Sequence, residues 1–324
     1  MGIAGTQVAG LGEWKADGSF IKRMHPGKTA HSGLLAVLLA QRGYTGPSTI
    51  MEGENGFLKA FSYGKRWDVC KILDGLGKEY RGYRTSFKPY ACFRFLHQVI
   101  DATLALVNQY DIRANDIEEV IVRIYNDAYS TLFNPPDRRY KPSTLVDAQF
   151  SIPYTVAVVI SRHQVLHTDF TEEKIHNPEI LSLAAKVKGV GDSEYEKLYP
   201  EKFPTTVTIR IKKGRELSQH VEIPKGGPEN PIYQKNPKLF NQEIEKKFAK
   251  LLNSQSPFKD RVEPIIKAID NLENLLDISL LSRLLYHEYG RDFLKRNRVN
   301  LGKCWPTYFA RCSKDFERTR SRRF

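Results

Sequence analysis

None of the four cysteines, Cys70, Cys92, Cys304 and Cys312, belongs to a CxxC pair, which removes the common zinc and iron–sulfur patterns and leaves free thiols in a reducing compartment. Long apolar runs are missing too. The longest, Leu34 to Ala40, falls far short of the roughly 20 residues that cross a bilayer, so no membrane span is expected. Met1 to Gln7 lack the basic stretch and apolar core of a secretory signal. Together these absences point to the cytoplasm. No internal repeat is visible either, which excludes solenoid architectures.

What is present is a chain of 324 residues, 41% hydrophobic, with 17 Phe and 16 Tyr. That is enough apolar material for one large or two ordinary globular domains. The formal charge is +13 and invites a nucleic-acid reading, but its distribution opposes one. Arg291 to Phe324 hold eleven Lys/Arg against three Asp/Glu, so the body before them is only modestly basic. The tail either attracts phosphates or is a solvated terminus without a partner.

Along the chain, Gly2 to Trp14 reads as a helix packed through small residues. Lys28 to Arg42 reads as a second helix, with Leu34, Leu35 and Leu38 on one face, stopped by Gly43. Tyr63 to Pro89 is an irregular connection, and Phe93 to Asn108 resumes helical spacing. Alternation at Ile117 to Tyr125 marks a strand, and Ile152 to Ser161 a helix capped by Ser151 or Asp147 with Pro153 in its first turn. Thr205 to Ile211 and Glu216 to Ile223 form a hairpin around Lys213 and Gly214, and Asn241 to Tyr289 is helical again. The fold class is therefore mixed α and β: a mainly helical domain interrupted by a smaller α+β lid. The expected boundaries are 1–84 for the helical domain, 85–230 for the lid, 231–290 for the helical return and 291–324 for a basic extension.

Three clusters can carry chemistry. Lys22 to Gly33 (KRMHPGKTAHSG) sets Lys22, His25 and His31 among further cations at the start of an apolar helix, a place that favours anions. His31 is alternatively a core histidine on the leucine face. Lys88 to Asp101 (KPYACFRFLHQVID) spaces Arg94, His97 and Asp101 so that one helical face offers a guanidinium, an imidazole and a carboxylate able to orient that imidazole, or else a surface ion-pair stripe. Asp147 to Tyr154 (DAQFSIPY) puts a phenol in a helix's first turn. Near cations its pKa would fall, as suits an acid or base; in a core it would be packing.

In this order the clusters resemble the MmgE/PrpD family, and the likeness continues through Leu39 to Pro47 (LAQRGYTGP), Glu52 to Phe57 (EGENGF) and Asn230–Pro231. The resemblance implies a homodimer, a cleft without metal or coenzyme, and acid–base chemistry on a small polycarboxylate substrate, with 2-methylcitrate dehydration, cis-aconitate decarboxylation and imino-dicarboxylate epimerisation among the known activities. By matching motif positions it assigns catalysis to His31, Lys88, His97 and Tyr154, and substrate binding to Lys22, His25 and Arg94. Phe93 stands where the decarboxylase branch has a histidine, which moves a dehydratase-like lyase ahead.

The resemblance also implies well over a hundred further residues before Met1, some of them supplying groups to the cleft. The chain is accordingly expected to be a shortened form whose apolar faces at Ile3 to Leu11 and Leu34 to Leu39 lie uncovered, and which lacks part of its own active site. The competing class is a non-catalytic scaffold that binds polyanions through its basic tail.

Overall fold

Alternation of apolar and polar residues in Ile117–Tyr125 builds the central strand, β1. Val120, Val122 and Ile124 are fully buried while Arg123 faces out. In the computed structural model, which describes residues 1–285 apart from 63–66, 69, 213 and 254–255, β1 organises everything around it. The described helices run, in chain order, α1 (Ile21–Gln41), α2 (His97–Tyr110), α3 (Asn126–Leu132), α4 (Pro136–Tyr140), α5 (Leu145–Gln149), α6 (Ile152–Arg162), α7 (Pro178–Ala184), α8 (Pro237–Asn253), α9 (Val262–Asp270) and α10 (Ser279–Leu285), with shorter turns between them.

The sheet has four strands in the order β2 (Val187–Asp192), β1, β3 (Thr205–Ile211), β4 (Arg215–Val221). β2 runs parallel to β1, with Val120 beside Val187; β3 is antiparallel to β1, and β4 to β3 in a hairpin that sets Ile209 opposite Leu217. The mixed, mainly helical class expected above is what the chain adopts. β2 escaped the sequence reading because its sequence, VKGVGD, buries only Val187 and Asp192. Its glycines serve a close crossing: a methyl group at Gly189 would lie 2.6 Å from the Phe133 ring, which follows directly on α3.

α2 and α6 supply the other layer of the core. Every residue from Ile152 to Ile160 is buried, the mark of a helix surrounded on all sides. Ser151 caps it, its hydroxyl accepting the Tyr154 amide at 3.0 Å, with Pro153 in the first turn. Asp147, the alternative cap, does other work described below. α2 buries Val99, Ile100, Leu106 and Val107, and ends at Asp111 in the left-handed conformation.

The chain divides into two compact units after Asn241. Within the second, α9 buries Ile265 and Ala268, and Arg261 donates to the Leu284 carbonyl at 3.2 Å. The basic extension at 291–324 lies outside the described residues, as do Cys304 and Cys312. Among the described residues no helix is long and apolar enough to cross a membrane.

α1 starts seven residues earlier than its leucine pattern suggests and tolerates Pro26 inside it, where the missing N–H leaves the Lys22 carbonyl without its helical donor. The segment before it is helical only at Gly2–Gly5 and Trp14–Asp17, not throughout. α1 buries only Ser32 and Ala36, whereas Leu34, Val37 and Leu38 are at least half exposed. An apolar stripe of this kind drives association. We expect the chain to self-associate at micromolar concentration, and Leu34→Gln with Leu38→Gln to shift it toward monomer in sedimentation velocity. A wild-type chain that sediments as a monomer across that range contradicts this.

Candidate active site

The segment from Ser86 to Leu96 has no regular sheet or α-helix, so its conformation is fixed by specific bonds. The Phe93 amide donates to the Gln149 carbonyl at 2.9 Å, and the Gln149 side-chain amide returns a bond to the Ala91 carbonyl at 3.2 Å. Phe93 stacks on Phe150 at 4.4 Å and leans on Phe95 at 4.7 Å. The second and third motifs of the sequence are thereby held edge to edge, and position 93 is enclosed by aromatic rings.

Lys88 is exposed, and its ammonium reaches the Cys92 carbonyl at 3.3 Å. Arg94 lies over the Phe203 ring at 5.6 Å and donates from Nε to the Ser86 hydroxyl at 3.3 Å. Burial pulls its pKa below the usual arginine value, with Asp101 and Glu229 pulling the other way. His97 opens α2 fully buried, its ring edge-to-face with Tyr90 at 5.2 Å. Asp101 was expected to orient that imidazole. Its carboxylate accepts the Tyr90 hydroxyl at 2.5 Å and the Lys225 amide at 2.7 Å. Burial lifts the Asp101 pKa above the ordinary carboxylate value, and it lifts that of Tyr90 as well, the Asp101 charge adding to the effect.

The first motif joins this arrangement at one end. Lys22 sits over the Trp14 ring at 5.3 Å, Trp14 packs edge-on against Phe150 at 5.5 Å, and Arg23 donates to the Gln149 side-chain oxygen at 2.8 Å. His25 is half-buried beside Gly10 and His31 is exposed further along α1. The core-histidine alternative for His31 is therefore removed.

Tyr154 corrects an expectation. Its hydroxyl is inside the core, donating to the Asp169 carbonyl at 2.8 Å, with Phe170 as ring neighbour. Burial raises its pKa and the Asp169 charge raises it further, Arg162 only partly offsetting them. The lowering expected from nearby cations does not occur. Arg23 and Lys88 thus flank the Ala91–Gln149 junction, Lys22 lies beside it over Trp14, and Arg94 and His97 follow on the stretch that continues from Phe93. His31 is exposed further along α1, and the Tyr154 hydroxyl is given to Asp169.

Sequence reasoning missed the group that anchors this junction. The Asp147 carboxylate, 1% exposed, accepts from Arg138 on one oxygen, where Arg139 also approaches at 3.6 Å, and from Ser143 and Thr144 at 3.2 and 3.0 Å on the other. Arg138 continues to the Lys15 and Ala16 carbonyls. A cavity of about 260 Å³ is left there, bounded by Trp14, Gly18, Arg138, Asp147 and Phe150. A charge tally over Arg138–Asp147 could have flagged the pair, since two adjacent arginines and an acid in a half-apolar stretch need each other if buried. In chemical terms, the assembled motifs offer cations to a polyanion and an imidazole held beside a phenol–carboxylate pair.

The profile of the MmgE/PrpD C-terminal domain matches residues 90–274, and that of the MmgE/PrpD N-terminal domain residues 1–70. A cis-aconitate decarboxylase of Aspergillus terreus is 29% identical over 297 residues, which is 88% of this chain and 58% of that protein. Cis-aconitate decarboxylases of Mus musculus and Homo sapiens are each 25% identical, over 82% of this chain and 52% of theirs. The chain thus spans little more than half the length of these curated relatives.

Proposed function

Because the chain belongs to the MmgE/PrpD family, we propose that it serves a lyase reaction on a small tricarboxylate of the aconitate type, without a cofactor. The observation that supports this reading is the placing of Arg23 on the Gln149 side chain and of Lys88 on the Cys92 carbonyl, either side of the Phe93–Gln149 bond, with Lys22 over the Trp14 ring that packs on Phe150. A substrate with three carboxylates needs such a density of donors, and removing a proton beside one of those carboxylates adds further negative charge that cations stabilise. Lys22, Arg23 and Lys88 are exposed and Arg94 is half-buried, so the first three meet the substrate before Arg94 does.

In a dehydration, a base takes the proton from carbon, the electron pair forms the double bond, and the hydroxyl leaves with a proton from an acid, giving water. We assign proton transfer to His31 and His97. Tyr154, with its hydroxyl already given to Asp169, has the weaker claim. Dehydration is favoured by Phe93, whose ring is stacked on Phe150 and offers no proton. A second reading, decarboxylation, is favoured by the names of the relatives.

Cis-aconitate tests both. Decarboxylation releases CO2 and leaves a five-carbon dicarboxylate, whereas the reverse of dehydration adds water to give citrate or isocitrate, and NMR of the product mixture separates them. We expect Lys88→Ala to weaken tricarboxylate binding about tenfold, the cost of one charge-assisted hydrogen bond, and the difference to shrink in high salt. The absence of tricarboxylate binding and of both products in the wild-type chain overturns the proposal.

A further inference from the structure

We infer that Asp101 is a positioning residue for this site, acting through the Tyr90 hydroxyl on the His97 ring and through the Lys225 amide on the backbone that carries Lys88. The inference deepens the reading above and rests on it only for the ligand, because the geometry stands by itself.

Asp101 lies one helical turn beyond His97 on α2. One carboxylate oxygen receives the Tyr90 hydroxyl at 2.5 Å, at the short end of O–H···O⁻ bonds. The other receives the Lys225 amide at 2.7 Å. From there two further bonds close a frame around Lys88. The Gly226 carbonyl accepts the Phe87 amide at 2.9 Å, and the Gly226 amide donates to the Tyr233 hydroxyl at 3.1 Å. Lys88 is thus bracketed by Phe87 on one side and Tyr90 on the other, and both brackets lead back to the same carboxylate. No helix or strand holds this stretch in place, so its conformation depends on such bonds.

The same frame fixes the histidine. Tyr90 meets the His97 ring edge-to-face at 5.2 Å, an arrangement that depends on where the phenol ring stands. Its hydroxyl, held by Asp101, anchors the far end of that ring. A negative charge so near an anion site would oppose the ligand if it were exposed. Here it is half-buried, bonded by two donors and opposed by the charges of Lys225 and Arg94. The carboxylate thus holds in place the backbone that supports Lys88.

The test uses the full chain and the variants Asp101→Asn, Tyr90→Phe and their double. The readouts are the histidine Cε1–H spectrum, with His97 identified by its loss in His97→Gln, and citrate affinity. Each single variant is expected to displace the His97 signal and to weaken citrate binding about tenfold, as loss of one charge-assisted bond would. The double variant should go no further than the larger single, because both act along one path. Simple packing would give additive shifts, and that result overturns the inference. So does an unmoved His97 signal in Asp101→Asn. If Asp101→Asn does not fold, Tyr90→Phe, which removes only the hydroxyl, decides on the His97 signal alone. If the wild-type chain does not bind citrate, the functional reading fails, and the His97 signal still decides whether Asp101 positions the ring.

Discussion

Asp147→Ala should lower the folding free energy of the first unit by about 3–5 kcal/mol, the range for removing one partner of a buried ion pair. The carboxylate is 1% exposed and is shared by Arg138, Arg139, Ser143 and Thr144. Without it, Arg139, itself buried, loses its main counter-charge, since the charge of Asp147, more than that of Asp137, offsets the burial of this guanidinium. Arg138 would also lose the bond that aims it at the Lys15 and Ala16 carbonyls. The segment around Trp14 should then exchange its amides faster than the core. Urea denaturation with an unchanged m-value reads the first effect, and hydrogen exchange reads the second. A midpoint shift equivalent to less than about 1 kcal/mol would place Asp147 among ordinary surface ion pairs and refute the assignment.

Gly226→Ala should nearly abolish tricarboxylate binding while leaving the sheet and α6 folded. Gly226 has φ +83°, and a methyl group there would lie 2.2 Å from the Phe87 carbonyl oxygen and 2.8 Å from Pro89. Backbone cannot yield as a flexible side chain does, so the stretch carrying Lys88 must move. A left-handed conformation costs a further 1–2 kcal/mol or so for any residue with a Cβ. Gly214→Ala is the matched control: φ is +75° there, but nothing lies within 4 Å of the added methyl, so it bears the conformational cost alone. Citrate titration of the two variants, with protection of the Phe87 amide as a second readout, separates displacement of the site from general destabilisation. Equal binding in both would show that the Lys88 backbone does not govern the site.

The difference between what the sequence disclosed and what it hid follows from the range of the interactions. β1 was legible because alternation is local and its buried residues are Val and Ile. α6 was legible for a similar reason, with Ser151 and Pro153 marking its start. β2 was hidden because its glycines answer to α3 and Phe133, which lie elsewhere in the chain. Within the site, the motifs were visible as clusters, but not their pairings. Helical spacing suggested that Asp101 serves His97, whereas Tyr90, from the irregular stretch before the helix, takes the carboxylate first. The same limit applies to Tyr154. Its place in a first turn was readable, but the carbonyl of Asp169 that captures its hydroxyl was not.

The strand order has a consequence during synthesis. β1 emerges from the ribosome with both edges unpaired, and its antiparallel partner follows only much later: the Thr205 hydroxyl that bonds the Arg123 carbonyl lies 82 residues further along. At about 5–20 residues per second, the wait is roughly 4–16 s. Throughout it Val120, Val122 and Ile124 form a nascent apolar ribbon whose parallel mate, β2, also arrives after α3 to α7 have been made. Closing so long a loop is slow as well. The yield of native chain in a cell should therefore depend on what shelters β1 in that interval, and slower translation should lower it unless a chaperone that grips extended apolar segments is at hand.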